Sequence, residues 1–225
     1  NGAETPRRRL MSSSNIFPDG LANSSGSVGQ KLMFNGYSSV TGLFDEPVNA
    51  WKSIPATRVV HDFYGLDPSL GFYGGGGIDG RHPSAGTPLK FALGAHDLFG
   101  GPNWGGEFKD SLAFQFSHCA AFDGHTTSLP LSSNNVTLDP VYKDSFGRPA
   151  IRCTYMDHPD DLSTMKWFKD KSIELMEAAG ATRISGSYPE SGQSGNVHLL
   201  GTCRMGSDPA NSFINAGHRA HDVPN

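Results

Sequence analysis

The sequence predicts an α+β fold, an antiparallel sheet with helices on one face. Leu112, Phe114, Phe116, His118, Ala120 and Phe122 alternate with Ala113, Gln115, Ser117, Cys119 and Ala121, a period of two that marks a strand with one apolar face. Lys143-Asp144-Ser145-Phe146-Gly147-Arg148-Pro149 is turn chemistry between two strand-like runs, 135–138 and 150–155. It predicts a hairpin with Pro149 at a strand start or edge. Leu162, Met165, Phe168, Met176 and Ala179 recur at helical spacing, with Asp160 or Asp161 to cap the start and Gly180 to end it. That pattern predicts a helix over 160–179 whose stripe packs on the core.

The remaining elements follow in chain order. Thr5-Pro6 suits a helix entry, Thr as cap and Pro in the first turn, and a short helix through about Met11 should follow. Residues 17–33 are glycine-punctuated and read as loop. The glycine-rich stretch 65–110 reads as long surface loops. Within it, Gly75-Gly76-Gly77-Ile78-Asp79-Gly80 matches GxGxxG. The dinucleotide fingerprint needs a strand before and a helix after, and Arg81-His82-Pro83-Ser84 opens no amphipathic helix, so the match is set aside.

The chain has 225 residues, enough for about one or two domains. With 28 Gly and 15 Pro it is rich in turns, and a net charge of -4 provides no basic face for nucleic acid. Arg7-Arg8-Arg9 is the only basic cluster, and no apolar run approaches the ~20 residues of a membrane span. Cys119, Cys153 and Cys203 are odd in number and far apart, which gives no disulfide framework and no CxxC metal site. They read as three reduced, partly buried thiols. His218 and His221 lack a carboxylate or cysteine to complete a metal set and read as solvated loop residues. His118, on the apolar face of the expected strand, reads as a core histidine. Asn23-Ser24-Ser25 and Asn135-Val136-Thr137 fit the glycosylation sequon, a short and common match. Starting at Asn1 and stopping at Val223-Pro224-Asn225, with no signal peptide, the chain reads as an internal piece of a longer protein.

The block His198-Leu199-Leu200-Gly201-Thr202-Cys203-Arg204-Met205-Gly206, followed by Ser207-Asp208-Pro209, sets one histidine ahead of a small-residue turn. It resembles the active-site histidine motif of the glucose-methanol-choline (GMC) flavin oxidoreductases. Other stretches resemble the family in the right order. Asn1-Gly2-Ala3-Glu4-Thr5-Pro6-Arg7 is similar to the strand-to-helix segment of its FAD domain, and Gly20 to Gly29 through Leu32-Met33 to the loop that follows. Asn135 to Pro140 with Asp144 and Phe146-Gly147-Arg148-Pro149 resembles its substrate-domain hairpin, and Asp222-Val223-Pro224-Asn225 trails the histidine block. The departures are Arg8 and Arg9, where the family has leucines on an inward-packing helix, and Phe34-Asn35 in place of Asp-His.

The resemblance implies oxidation of an alcohol CH–OH, in a sugar or polyol, with hydride passing to FAD and His198 as general base. It places Gly201 and Thr202 at the flavin ring, Gly2 and Ala3 at the adenine half, and Asn196 and Val197 toward substrate. The fold implied is a substrate domain over 35–190 with two partial segments of a Rossmann-like FAD domain, 1–34 and 191–225. An electron acceptor or cytochrome subunit is the implied partner, and the bacterial periplasm or cell envelope the implied location, with the cytoplasm as alternative. The family's N-terminal GxGxxG and its second catalytic His or Asn are not in this sequence, so the chain alone is expected to be inactive. Two alternatives stand beside this reading: a non-redox relative of hydroxynitrile-lyase type, and a non-enzymatic carbohydrate-binding or scaffold domain.

Overall fold

The computed structural model describes residues 4–56, 58–192 and 198–223. The chain forms two compact units: 1–35 with 128–158 and 193–225, and 36–127 with 159–192. The segment 128–158, placed by sequence inside 35–190, thus groups with the two terminal segments.

In the first unit, helix α1 (Glu4–Met11) forms at Thr5-Pro6 and runs through Met11 as expected, with Pro6 in its first turn but Thr5 already helical rather than its cap. The hairpin also forms, from β6 (Asn135–Lys143) and β7 (Pro149–Thr154), with Pro149 as first strand residue. Asp144 builds the turn: its Oδ1 accepts from the backbone N–H of Phe146 at 2.9 Å and of Arg148 at 3.0 Å. Arg7 anchors α1 to that turn, donating to Asp144 Oδ2 at 2.9 Å and to the Pro149 carbonyl at 2.8 Å. Arg8 reaches solvent, and Arg9 lies over the Phe213 ring at 4.5 Å. Both arginines therefore avoid the unpaired burial that leucine positions would have imposed. Ala22, Val28 and Phe213 form one buried cluster of the unit, with Leu10, Cys203, Ile214, Ala220 and Val223 packed against it.

The second unit is a five-stranded sheet in the order β3 (Arg58–Val60), β4 (Gly76–Arg81), β5 (Cys119–Thr126), β2 (Gly36–Leu43), β8 (Arg183–Ser187). Every neighbouring pair is antiparallel. Helix α4 (Pro159–Ala178) packs on one face. Its Met165, Phe168 and Met176 press on Gly36, Gly124 and Gly42, where a Cβ would come within 2.7–3.0 Å of those side chains. Glycine on the strands lets the helix lie close. Gly180 closes α4 at φ +86°, with the Ala181 N–H reaching the Met176 carbonyl at 3.1 Å, a glycine C-terminal cap.

Three expectations fail in this unit. Residues 105–118 form helix α3 (Gly105–His118), and the strand starts only at Cys119. Leu112, Phe116 and Cys119 meet Leu43 and Phe91 in one cluster, while Phe114 is 45% exposed. The spacing of four and three residues, rather than two, is the one that packs. The glycine-rich stretch is not loop throughout either, since it holds β4, α2 (Pro88–Phe99) and the start of α3. α2 and α3 pack over the Leu43–Cys119 end of the face away from α4, so the helices are not confined to one face. The GxGxxG match lies largely in β4, between antiparallel neighbours. Gly76 is needed there because a Cβ would stand 2.1 Å from the His125 carbonyl.

Candidate functional site

The two segments that the sequence singled out around 20–33 and 198–206 are brought together in the first unit. β9 (Leu199–Leu200) pairs antiparallel with β1 (Met33–Phe34), Leu199 opposite Phe34 and Leu200 opposite Met33. His198 enters this strand and is exposed, with no side-chain hydrogen bond among the described residues.

The backbone beyond β9 is fixed on both sides. Gly201 has φ +79°, and a Cβ there would stand 1.9 Å from the Lys31 carbonyl oxygen. The glycine is required by close approach of the protein's own 29–31 loop. Thr202 also takes a left-handed conformation, φ 53°, which costs roughly 1–2 kcal/mol for a residue with a side chain. Its N–H donates to the Gln30 carbonyl at 3.0 Å, and its carbonyl accepts from the Gly29 N–H at 2.7 Å. Cys203 N–H then reaches the Gly201 carbonyl at 2.6 Å, closing a three-residue turn. Backbone held in a sparse conformation by several bonds is a mark of functional sites.

Thr202 is fully buried, and its Oγ1 has no hydrogen-bond partner among the described residues. Farther on, the Arg204 carbonyl accepts from Phe213 N–H at 2.8 Å, and Gly206 N–H donates to the Ile214 carbonyl at 2.9 Å. His221 is not a solvated loop residue: its Nε2 lies 2.9 Å from Ser212 Oγ and 3.2 Å from the Gly206 carbonyl. His218 is exposed, as expected. His118 is half-buried at the end of α3, with Nδ1 2.7 Å from the Phe114 carbonyl and its ring stacked on Phe114 at 4.0 Å. It is a helix-end residue rather than a strand one. Asn23 is tied down, its Oδ1 accepting from Val28 N–H at 2.9 Å, so that sequon is a turn. Gly2, Ala3, Asn196 and Val197 lie outside the described residues.

A family model described as GMC oxidoreductase matches residues 130–225, the span that holds the hairpin and the His198 block. The chain belongs to the GMC oxidoreductase family. Among its relatives, the 2-methyl-1,2-propanediol dehydrogenase of Mycolicibacterium austroafricanum is 34% identical over 227 residues, covering 100% of this chain and 40% of the relative. The gluconate 2-dehydrogenase flavoprotein of Pantoea cypripedii is 26% identical over 89% of this chain and 34% of its own length. The paromamine 6'-oxidase of Streptomyces fradiae is 28% identical over 100% of this chain and 38% of its own length. This GMC chain therefore spans no more than about 40% of the length of these relatives.

What sequence reading missed in this GMC chain is a polar constellation on the second unit, built from Tyr37, Asp79, Arg81, Asp123 and His125. Asp79-x-Arg81 and Asp123-x-His125, each at strand spacing, were the available signal.

Proposed function

We propose that this chain supplies the general base and part of the substrate side of a flavin-dependent alcohol oxidation, acting on a sugar or polyol. One observation carries the reading: His198 presents an exposed imidazole at the end of a segment whose backbone is bonded from the 29–34 side. The names of the relatives support it, since they are a 2-methyl-1,2-propanediol dehydrogenase, a gluconate 2-dehydrogenase flavoprotein and a paromamine 6'-oxidase.

The residues fit one edge of a flavin. The half-exposed Gly201 backbone adjoins the orphaned hydroxyl of buried Thr202, which a polar ring edge could satisfy. FAD, when bound, supplies the hydride acceptor. His198 takes the substrate hydroxyl proton as the C–H bond breaks, and later releases it to solvent. Gly201 and Thr202 hold the strand end that aims the imidazole, so little reorganisation is left for the reaction itself. In this reading Gly2 and Ala3 line the adenine half, Asn196 and Val197 face substrate, and 1–34 with 191–225 belong to an FAD-binding domain. An electron acceptor or cytochrome subunit would take the electrons onward, and a cell-envelope location is part of the same reading.

The test is anaerobic mixing of the full-length protein with a panel of polyols while flavin absorbance is followed. Bleaching by at least one polyol is expected. A protein that binds flavin yet is bleached by no alcohol would be a non-redox member of the family, and the proposal would fall.

A further inference from the structure

The face of the five-stranded sheet away from α4 carries an ordered polar array. Asp79 on β4, Asp123 on β5 and Ser39 on β2 lie opposite one another in one row, and Gly77, His125 and Tyr37 form the next. Arg81 Nε donates to Asp79 Oδ1 at 2.6 Å and lies 3.1 Å from Asp123 Oδ2, while its Nη2 pairs with Asp79 Oδ2. His125 Nε2 is 3.0 Å from Asp79 Oδ2, and Ser39 Oγ donates to Asp123 Oδ1 at 2.6 Å. Tyr37 meets His125 edge to face at 5.3 Å. Burial, together with the charge of Asp123 and the hydrogen bond to it, raises the Tyr37 phenol above its ordinary value, so it stays a neutral donor.

The array has two layers. Asp79 and Asp123 are only 6% and 4% exposed, and above them Tyr37, Arg81 and His125 are half-exposed. Two buried carboxylates cost several kcal/mol each in desolvation, and one guanidinium shared between them does not balance their charge. An apolar pair would hold the sheet together at least as well. Buried charge held beneath half-exposed polar side chains is the kind of cluster found at functional sites.

We propose that Tyr37, Arg81 and His125 form a subsite for a neutral polyhydroxyl ligand, with Asp79 and Asp123 as the positioning residues beneath. Anions are disfavoured because the array holds two carboxylates for one guanidinium. Ammonium groups are disfavoured because both carboxylates are already engaged, Asp79 by Arg81 and His125, Asp123 by Arg81, Ser39 and Tyr37. The half-exposed layer is mixed: Arg81 Nη1, which makes no hydrogen bond among the described residues, is a donor, and the Tyr37 oxygen, which also meets Ser39, has acceptor capacity. A hydroxyl both donates and accepts and so matches the pair. Val59, opposite Asp79 on the edge strand and 47% exposed, offers apolar surface for the carbon side of such a ligand. The inference deepens the proposed polyol activity and rests on it for the choice of ligand, while the residues belong to the second unit alone.

The test is calorimetric titration of the dithionite-reduced full-length protein, so that no turnover intervenes, with glucitol, gluconate and glucosamine as probes. Glucitol should bind in preference to the other two. Tyr37→Phe, which leaves Asp123 its bonds to Arg81 and Ser39, should weaken glucitol roughly three- to tenfold. Arg81→Met should weaken it roughly tenfold or more, and Tyr37→Phe carries the test alone should Arg81→Met fail to fold. Leu89→Ala, at an exposed position of α2 outside the array, should bind glucitol as the parent does, and flavin bleaching by polyols, read separately, tests the catalytic reading. Absence of glucitol binding, preference for gluconate or glucosamine, or a Tyr37→Phe protein that binds glucitol unchanged would overturn the proposal.

Discussion

Gly201→Ala probes the joint between β9 and the 29–31 loop. The added Cβ would lie 1.9 Å from the Lys31 carbonyl oxygen and 2.9 Å from its carbon, where ordinary contact begins at 3.4 Å. Backbone must therefore move by roughly 1.5 Å, the difference between 3.4 and 1.9 Å. Overpacking of this kind costs about 1–3 kcal/mol, and the left-handed φ of +79° adds roughly 1–2 kcal/mol for alanine. The total of about 2–5 kcal/mol is a large fraction of a domain's stability. Gly26→Ala is the matched control: its φ is +65°, and nothing lies within 4 Å of the added Cβ. It should cost only the conformational part, about 1–2 kcal/mol. Denaturant titrations of the two variants and the parent read the difference directly. Equal destabilisation by the two substitutions would refute the packing of Gly201 on Lys31.

Other predictions follow from the same contacts. Asp144 is held well below the usual carboxylate range: burial works against this, but the backbone N–H of Arg148, the Arg7 side chain and the N–H of Phe146 outweigh it. Its folded value is depressed, so its contribution is complete above the ordinary carboxylate range near ~4 and fades as pH falls through the folded value. Asp144→Asn should therefore lower stability at pH 7 and narrow its gap from the parent as acid titration proceeds below about pH 4; a constant gap across that range would contradict the assignment. The cysteines should label in order. Cys153 is exposed and Cys203 half-buried, while Cys119 is fully buried and burial pushes its thiol up to about 12. A thiol reagent followed by mass spectrometry should mark Cys153 first and Cys119 only on unfolding; early labelling of Cys119 would show that the Leu43–Phe91 cluster opens in the native state.

Local signals were legible in the sequence where a single element decided them. The helix at Thr5-Pro6, the Asp144 turn and the Gly180 stop each acted through neighbours a few residues away and formed, although Thr5 lies inside the helix rather than at its cap. The run 112–118 misled because Leu112 and Phe116, four residues apart, suit a helical stripe as well as an alternation, and only contact with Phe91 decides between them. The run 75–80 read as loop because the use of its glycines is long-range: Gly75 and Gly76 clear the Tyr64 and His125 carbonyls, which the fold brings close. The same limit applies to function. His198 stood out from its own neighbours, whereas the pairing of β9 with β1 and the facing of Asp79 and Asp123 join residues far apart in sequence.

The most direct measurement is steady-state turnover of the full-length, flavin-loaded His198→Ala protein beside its parent, with flavin content measured spectrophotometrically in both. The proposed role predicts a fall of roughly 10²–10⁴ in turnover, the usual worth of a positioned general base, with flavin content unchanged. Turnover close to the parent's at equal flavin content would contradict it.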